Sequence, residues 1–391
     1  MEERLAWIRF QQLFGSGSTR SRKILDHFGH PSAFFAQAGK RPDRMGLTQG
    51  EIERFAAAGS EETAQKILDR CAAIGCSVLI PEDPDYPQRL REIYNYPAAL
   101  YLRGSLAGLD ESLAIGMVGT RNCTDYGRQA ARLIAGELAE KGVVIVSGMA
   151  RGIDTASHEA TLRAGGRTIA VLGCGIDVVY PPENARLEEL ILRHGGAVVS
   201  EYPPGTKPFP RHFPIRNRII SGLSNGIVVV EGTRHSGSLI TAGHAFVQNR
   251  EVFAVPGSIF SGVSEGPNYL LRQNAKAVDS VESILEEYQF LIRWEVPGEP
   301  EGKTSVEESE QKGYNEKQHL PAEPKGEQLT LPAYLTENQQ KIYTVLGAGE
   351  VVTADFIAAQ SGVPLPAVLS ALTQMEIFGL VKIHPGRRFS L

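Results

Sequence analysis

The chain has 391 residues, 42% of them hydrophobic and 22% charged, enough for two or three domains of about 150 residues with at least one sizeable core. Its 40 Lys and Arg against 45 Asp and Glu give a formal net charge of −5, which excludes a protein that coats polyanions through global positive charge. Any nucleic-acid role has to rest on a local basic patch.

The opening Met1-Glu2-Glu3-Arg4 has no basic region leading into an apolar run, and no stretch approaches ~18 uninterrupted apolar residues. The expectation is a cytoplasmic protein with neither a secretory signal nor a membrane span. Cys71, Cys76, Cys123 and Cys174 form no CxxC pair and have no His at ligand spacing, so they read as reduced thiols and no metal site is expected.

Residues 1–75 carry apolar side chains at helical spacing, Leu5, Ile8 and Leu13 and then Ile24, Leu25 and Phe28, which predicts a small all-helical module. From 76 to 297 the pattern changes to short apolar runs, at 77–80, 114–118, 143–146, 168–172, 197–200, 227–230 and 252–255, separated by amphipathic stretches. Runs of this kind suit strands buried on both faces and joined by helical crossovers, so the fold class is α/β with a Rossmann-like, mostly parallel sheet. Residues 298–330 hold eight Glu, four Lys and almost no aliphatic side chains, the composition of a disordered linker. Beyond it, helices are predicted over 336–346, 353–360 and 365–378, with Thr353 as an N-cap and Gly362 as a stop. With a terminal ribbon at 380–383 and 387–389 they predict a winged helix over 331–391.

In an open parallel sheet, ligands bind beyond the carboxyl ends of the strands, where helix N-termini collect. In the first such loop, Gly119 turns the chain, Thr124 or Asp125 can cap the next helix, and Arg121 stands at the mouth as an anion ligand. The second, Ser147 to Ala156, places Gly148 and Gly152 around Arg151 as an anion-binding nest, without the spacing of a dinucleotide fingerprint. Asp154 there reads as an N-cap or as a functional carboxylate. The fourth, Gly205 to Arg218, holds Lys207, Arg211, Arg216 and Arg218 and no acid, with Phe209 and Phe213 between the charges. Cations for phosphates beside π-faces for unstacked bases are what single-stranded nucleic acid needs. Arg216 and Arg218, if they open the next helix, oppose its positive end, a cost that an anion there would offset. The fifth sets Arg234 and His235 beside the hydroxyls of Ser236 and Ser238; His235 has no carboxylate or nucleophile nearby in sequence to make it a catalytic base.

The segments VGTRNCTDYG, SGMARGIDTASH, GCGIDVVYPPEN, SEYPPG, HFPIRNRIISGLS and SGSLITAGHA, in this order, resemble the DNA-processing protein A (DprA/Smf) family over most of residues 75–290. The stretch Leu13 to Ser18 is similar to the helix-hairpin-helix or SAM-like module that often precedes that domain, and the C-terminal winged helix to its frequent third domain. The resemblance implies a protein without enzymatic activity or cofactor that binds incoming single-stranded DNA during natural transformation, protects it, and loads the RecA recombinase. It also implies a homodimer. By motif position it assigns DNA contact to Arg121 and to Arg216-Asn217-Arg218, with Phe213 as a stacking surface, Arg211 in the place of a family lysine, and the Gly148–Gly152 loop facing the same pocket.

The alternative is a nucleotide-processing enzyme, because the sheet is also similar to that of the lysine-decarboxylase-like phosphoribohydrolases. Those carry a PGGxGTxxE segment in the late loop, where this chain reads Glu231 to Ser238 without the final glutamate. Residues 336–391 are charge-balanced, with four acids against Lys341, Lys382, Arg387 and Arg388, and the segment 365–378 has no Lys or Arg. That composition favours protein contact over reading a major groove.

Overall fold

The computed structural model describes residues 2–38, 47–57, 60–289, 337–347, 351–377, 381–384 and 388–391. They fall in two compact units, Met1–Glu299 and Pro300–Leu391. The predicted linker at 298–330 and the wing residue Arg387 lie outside the described residues.

The first unit begins with α1 (Glu2–Phe14), α2 (Thr19–Phe28), α3 (Pro31–Ala38), α4 (Gln49–Ala57) and α5 (Glu61–Ala73). A nine-stranded sheet follows, from β1 (Ser77–Leu79), β2 (Leu100–Gly104), β3 (Ala114–Val118), β4 (Val144–Ser147) and β5 (Thr168–Leu172) to β6 (Ala197–Ser200), β7 (Gly226–Val229), β8 (Glu251–Ala254) and β9 (Lys276–Ala277). Its helices are α6 (Gln88–Arg91), α7 (Asp125–Glu140), α8 (Ile153–Arg163), α9 (Ala185–Arg193), α10 (His212–Gly222), α11 (Gly237–Val247), α12 (Glu265–Arg272) and α13 (Glu282–Leu285). Each of the seven apolar runs is a strand. Two strands, β2 and β9, are not among those runs: β2 runs antiparallel to both β1 and β6, and β9 is a two-residue parallel edge on β8.

The strand order is β1-β2-β6-β5-β4-β3-β7-β8-β9, with β3 to β9 parallel. From β3 the chain winds outward through β4, β5 and β6, then returns to the other side of β3 as β7. The carboxyl ends of β3 and β7 therefore flank a topological switch point, the place where such sheets open a crevice. Alternation along β3 sends Ala114 and Val118 into one apolar core and Ile115 and Met117 into the opposite one, so helices cover both faces.

The boundary expected near residue 75 is a change of secondary structure rather than a break between compact units. Ile8 of α1 shares a core with Ala170 of β5 and Val198 of β6. The buried amide of Gln11 donates to the Ala99 and Glu201 carbonyls at 3.0 and 2.6 Å and accepts from the Ala99 N–H at 2.8 Å. A separate module would leave this apolar face and this amide group exposed.

The second unit is a winged helix of α14 (Glu337–Leu346), α15 (Ala354–Ser361) and α16 (Leu365–Ile377) with a small antiparallel sheet. Its strands, β10 (Val352–Thr353), β11 (Lys382–His384) and β12 (Arg388–Ser390), are ordered β10-β12-β11. Thr353 caps α15, its hydroxyl accepting from the Phe356 N–H, and Gly362 ends it at φ 68°. Ile342, Ile357, Leu372 and Phe389 meet in its core. No helix among the described residues is long and apolar enough to cross a membrane.

Candidate nucleic-acid interface

Four loops and helix starts converge at the switch point on a pocket of about 360 Å³. The turn after β3 contributes Gly119 to Asn122, with Arg121 exposed. Thr124 caps α7, its hydroxyl accepting from the Gly127 N–H at 3.2 Å, and is anchored by donating to the buried Glu231 carboxylate at 2.5 Å. The start of α11 adds Ser236, Gly237 and Ser238, with no side chain capping its N–H groups, a ready anion site. The Ser236 and Ser238 hydroxyls are 2.6 Å apart.

From the side, α10 supplies Phe213, Arg216 and Asn217. Its start is pinned by His212, whose ring stacks on Tyr202 at 4.1 Å and whose Nδ1 lies 3.2 Å from the Gly173 carbonyl. The half-buried Phe213 ring faces two guanidinium groups, with Arg121 Cζ 5.1 Å and Arg216 Cζ 5.8 Å from its centroid. Arg216 is only 3% exposed and donates to the carbonyls of Gly148, at 2.7 Å, and of Val171. Asn217 donates to the Gly237 carbonyl at 3.1 Å, tying α10 to the start of α11.

Asp154 completes the floor. The N-cap position of α8 belongs to Gly152, and Asp154 lies in the first turn, 6% exposed, its carboxylate accepting from the Ala150 N–H. Burial pushes its carboxyl up to about 6, against the opposing pull of the Arg216 guanidinium and the Ala150 and Gly148 N–H groups. Burial likewise holds Arg216 below its ordinary value. A Cβ on Gly148 would stand 2.7 Å from both Arg216 Nη2 and Asp154 Oδ2, so only glycine leaves room for the two groups at this turn.

Of the residues singled out in the sequence, Arg121, Phe213, Arg216, Asn217, Ser236 and Ser238 come together in this pocket, with Gly148 packed behind Arg216. The other basic residues are dispersed. Arg218 is a correction: it is 1% exposed and paired with Glu201, so it presents no charge to a ligand. Because α10 starts at His212, Arg216 and Arg218 sit in its second turn and the expected opposition to the helix's positive end does not arise. Arg151 pairs with Glu183 on the surface, Arg211 lies over the exposed Phe209 ring at 5.2 Å, Lys207 is exposed outside the pocket, and Arg234 lies over Tyr269. The four charges of the fourth loop are thus not one patch. Among the lining residues absent from the expected set, Asn122, next to Arg121, and Thr241, one turn after Gly237, share the spacing that brought their neighbours in.

Fold and pocket together define a Rossmann-like α/β protein whose switch-point crevice pairs anion-binding groups with an aromatic face. The chain belongs to the family of DNA recombination-mediator protein A, whose signature matches residues 77–289, and a DprA winged helix domain matches residues 323–387. It is 41% identical over 309 residues to Protein Smf of Escherichia coli (strain K12), covering 79% of this chain and 76% of that one. Over 239 residues it is 49% identical to DNA processing protein DprA of Bacillus subtilis (strain 168), covering 61% and 78%. The X-ray structure of DNA processing protein A from Streptococcus pneumoniae superposes with TM-score 0.60 at 36% identity, over 71% of this chain and 95% of that chain. DNA processing protein A from Helicobacter pylori, described for its single-stranded DNA binding mode, superposes with TM-score 0.50 at 30% identity, over 55% and 96%.

Proposed function

We propose that this protein binds single-stranded DNA in the switch-point pocket and, as a cytoplasmic homodimer, protects incoming strands during natural transformation and delivers them to the RecA recombinase. The observation that carries the reading is the pairing of Arg121 with the Phe213 ring at the open start of α11. Phosphates are held by Arg121, the hydroxyls of Ser236 and Ser238 and the α11 N–H groups, while an unstacked base lies on Phe213. Arg216 acts from behind, as a buried charge that fixes the Gly148 turn and makes the pocket attractive to an anion. Lys207 and Arg211 guide the strand past Pro210 at the rim. Contacts of this kind carry little base readout, so binding is sequence-tolerant. Two copies of the pocket in a dimer raise the effective concentration on one strand. The C-terminal unit serves protein contact, since α16 carries no Lys or Arg and Phe356 and Leu365 are exposed.

The relative from Helicobacter pylori supports the ligand class, and the family description supports the mediator role. Against nucleotide hydrolysis stands Glu231, which is buried and engaged by the Thr124 N–H and hydroxyl instead of facing the pocket. The test is a gel shift of the full chain on single- and double-stranded DNA across a salt series. Preference for the single strand is expected, and Arg121→Ala should weaken binding and flatten the log–log salt slope by about 0.7. Unchanged binding by that variant, or release of free base from nucleoside monophosphates, would sink the assignment. RecA delivery is read separately, from the rate of RecA filament formation on protein-coated strands with and without this chain.

A further inference from the structure

We propose a second nucleotide subsite at Arg234, Tyr269 and Arg272, which takes the strand as it leaves the switch-point pocket; the inference rests on reading that pocket as a single-strand site. A separate cavity of about 330 Å³ is lined by Arg234, Ser258, Ser261, Asn268 and Arg272, with Glu265 also on its wall. Arg234 Cζ lies 4.5 Å and Arg272 Cζ 6.0 Å from the Tyr269 ring centroid, and both arginines are exposed. Stacking on the ring holds two guanidinium groups in place while leaving their donors available to phosphate oxygens.

The loop between β8 and α12 frames this cavity and is braced by a reciprocal pair of hydrogen bonds. The Asn268 amide donates to the Gly257 carbonyl at 3.0 Å, and the Gly257 N–H donates back to Asn268 Oδ1 at 3.3 Å. On that frame Ile259 is 85% and Phe260 94% exposed. Ile259 lines this cavity and Phe260 follows it directly in the loop, so an exposed ring adjoins the cationic wall and offers the combination of the first pocket, charges for phosphates and a π-face for a base. Glu265 leaves a net positive wall and bars phosphate from its own edge, which directs the backbone toward the arginines.

Continuity makes single-stranded DNA the occupant. Arg234 of the second cavity and Ser236 of the first are two residues apart on the loop between β7 and α11, at most about 7 Å along the chain. A strand gripped at Ser236 and extended over this loop meets Arg234 next, then Arg272 and Phe260. Neither cavity alone holds more than a few nucleotides, so the second subsite matters only for longer strands.

The experiment uses the full chain, the double variant Arg234→Ala/Arg272→Ala, and separately Phe260→Ala, all at exposed positions, with fluorescence anisotropy on labelled oligonucleotides of about 6 and about 20 nucleotides, sizes set by the single-strand footprint. The expected result is affinity for the short strand within about twofold of the parent, and affinity for the long strand about tenfold weaker for either variant. The double variant should also lose about 1.4 from the salt slope, two phosphate contacts' worth. Equal losses at both lengths would make Arg234 part of the first pocket and overturn the second. So would unchanged DNA binding, including the case where sedimentation shows an altered oligomeric state and the cluster is a contact between copies of the chain. Arg121→Ala separates the two readings: it should weaken the short strand as well, and if it does not, the first pocket fails independently of the second.

Discussion

Arg218 and Glu201 form a two-point ion pair almost closed to water, Nη1 to Oε2 at 2.9 Å and Nη2 to Oε1 at 2.6 Å. The pair is a rivet between three parts of the chain. Glu201 follows β6 directly and also accepts from the Gly17 N–H between α1 and α2, while Arg218 of α10 donates to the Asn95 carbonyl. Asn95 in turn donates to the Gly17 carbonyl.

Removing one partner strands the other charge in the interior. Arg218→Ala should therefore cost about 3–5 kcal/mol in urea unfolding and leave the single-strand affinity of the folded fraction unchanged. A residue in contact with DNA would give the reverse, lost affinity at intact stability. Arg218→Met combined with Glu201→Gln should be milder than the single change, because no unpaired charge remains.

Phe213 is expected to separate stacking from packing. Its ring is backed by Gly173, where a Cβ would come within 2.9 Å of Phe213 Cδ1, and flanked by Tyr180 at 5.5 Å. Phe213→Leu keeps the apolar contact and removes the π-face, so single-strand affinity should fall by about 1–3 kcal/mol while the melting temperature moves little. Phe213→Tyr should bind nearly as the parent does. Anisotropy titrations beside thermal melts would expose the opposite case, in which both variants lose stability and neither loses affinity.

Two buried groups set opposing pH dependences. Burial raises Asp154 from 3.8 to about 6, so its contribution to stability is full below pH 3.8 and is lost as pH rises through 6, about 3 kcal/mol in all. Burial lowers His158, whose Nδ1 lies 2.7 Å from the Thr168 hydroxyl, from 6.5 to about 3. Its contribution is full above pH 6.5 and lost as pH falls toward 3. Between pH 6 and 4 the two partly cancel. In Asp154→Asn the histidine acts alone, and stability should fall on acidification about 1.4 kcal/mol per pH unit more steeply than in the parent. Urea titrations at several pH values check this, and parallel curves would show that Asp154 does not titrate there. The same proton lies in the pocket, so parent affinity for DNA should rise as pH falls from 7.5 toward 6, and Asp154→Asn should flatten that rise.

The sheet was legible because strands buried on both faces leave continuous apolar runs, and Thr124, Thr353 and Gly362 carry cap chemistry in their own side chains or lack of one. β2 was not, since Leu100 to Gly104 breaks its apolar run at Arg103 and emerges from the core there, and its partners are set by antiparallel pairing with β1 and β6 rather than by local pattern. The pocket was partly legible. Arg121, Ser236 and Ser238 are placed by strand-to-helix turns, which sequence shows. Arg216 and Arg218 are two residues apart on one helix, so they face different directions. One reaches the Gly148 turn and the other Glu201, and nothing in a run of like charges says which is buried against an acid.

Gly152 gives a last test, of the coupling between the two loops that build the pocket. It is the N-cap residue of α8 at φ 77°, and a Cβ there would lie within 2.6 Å of the carbonyl oxygens of both Thr120 and Arg121. Both are backbone atoms of the turn that presents Arg121, so Gly152→Ala cannot be absorbed by rotating a side chain. At Gly165, with φ 74°, an added Cβ would meet nothing within 4 Å, so Gly165→Ala incurs backbone strain alone. The expected cost of Gly165→Ala is about 1–2 kcal/mol with unchanged DNA affinity. Gly152→Ala should cost more than that and also weaken single-strand binding, because the Arg121 turn has to move away from Phe213 and the start of α11. Equal destabilisation by the two variants, with DNA affinity intact in both, would mean that the turn tolerates the displacement and that the spacing of Arg121 from the Phe213 ring is not what the pocket depends on.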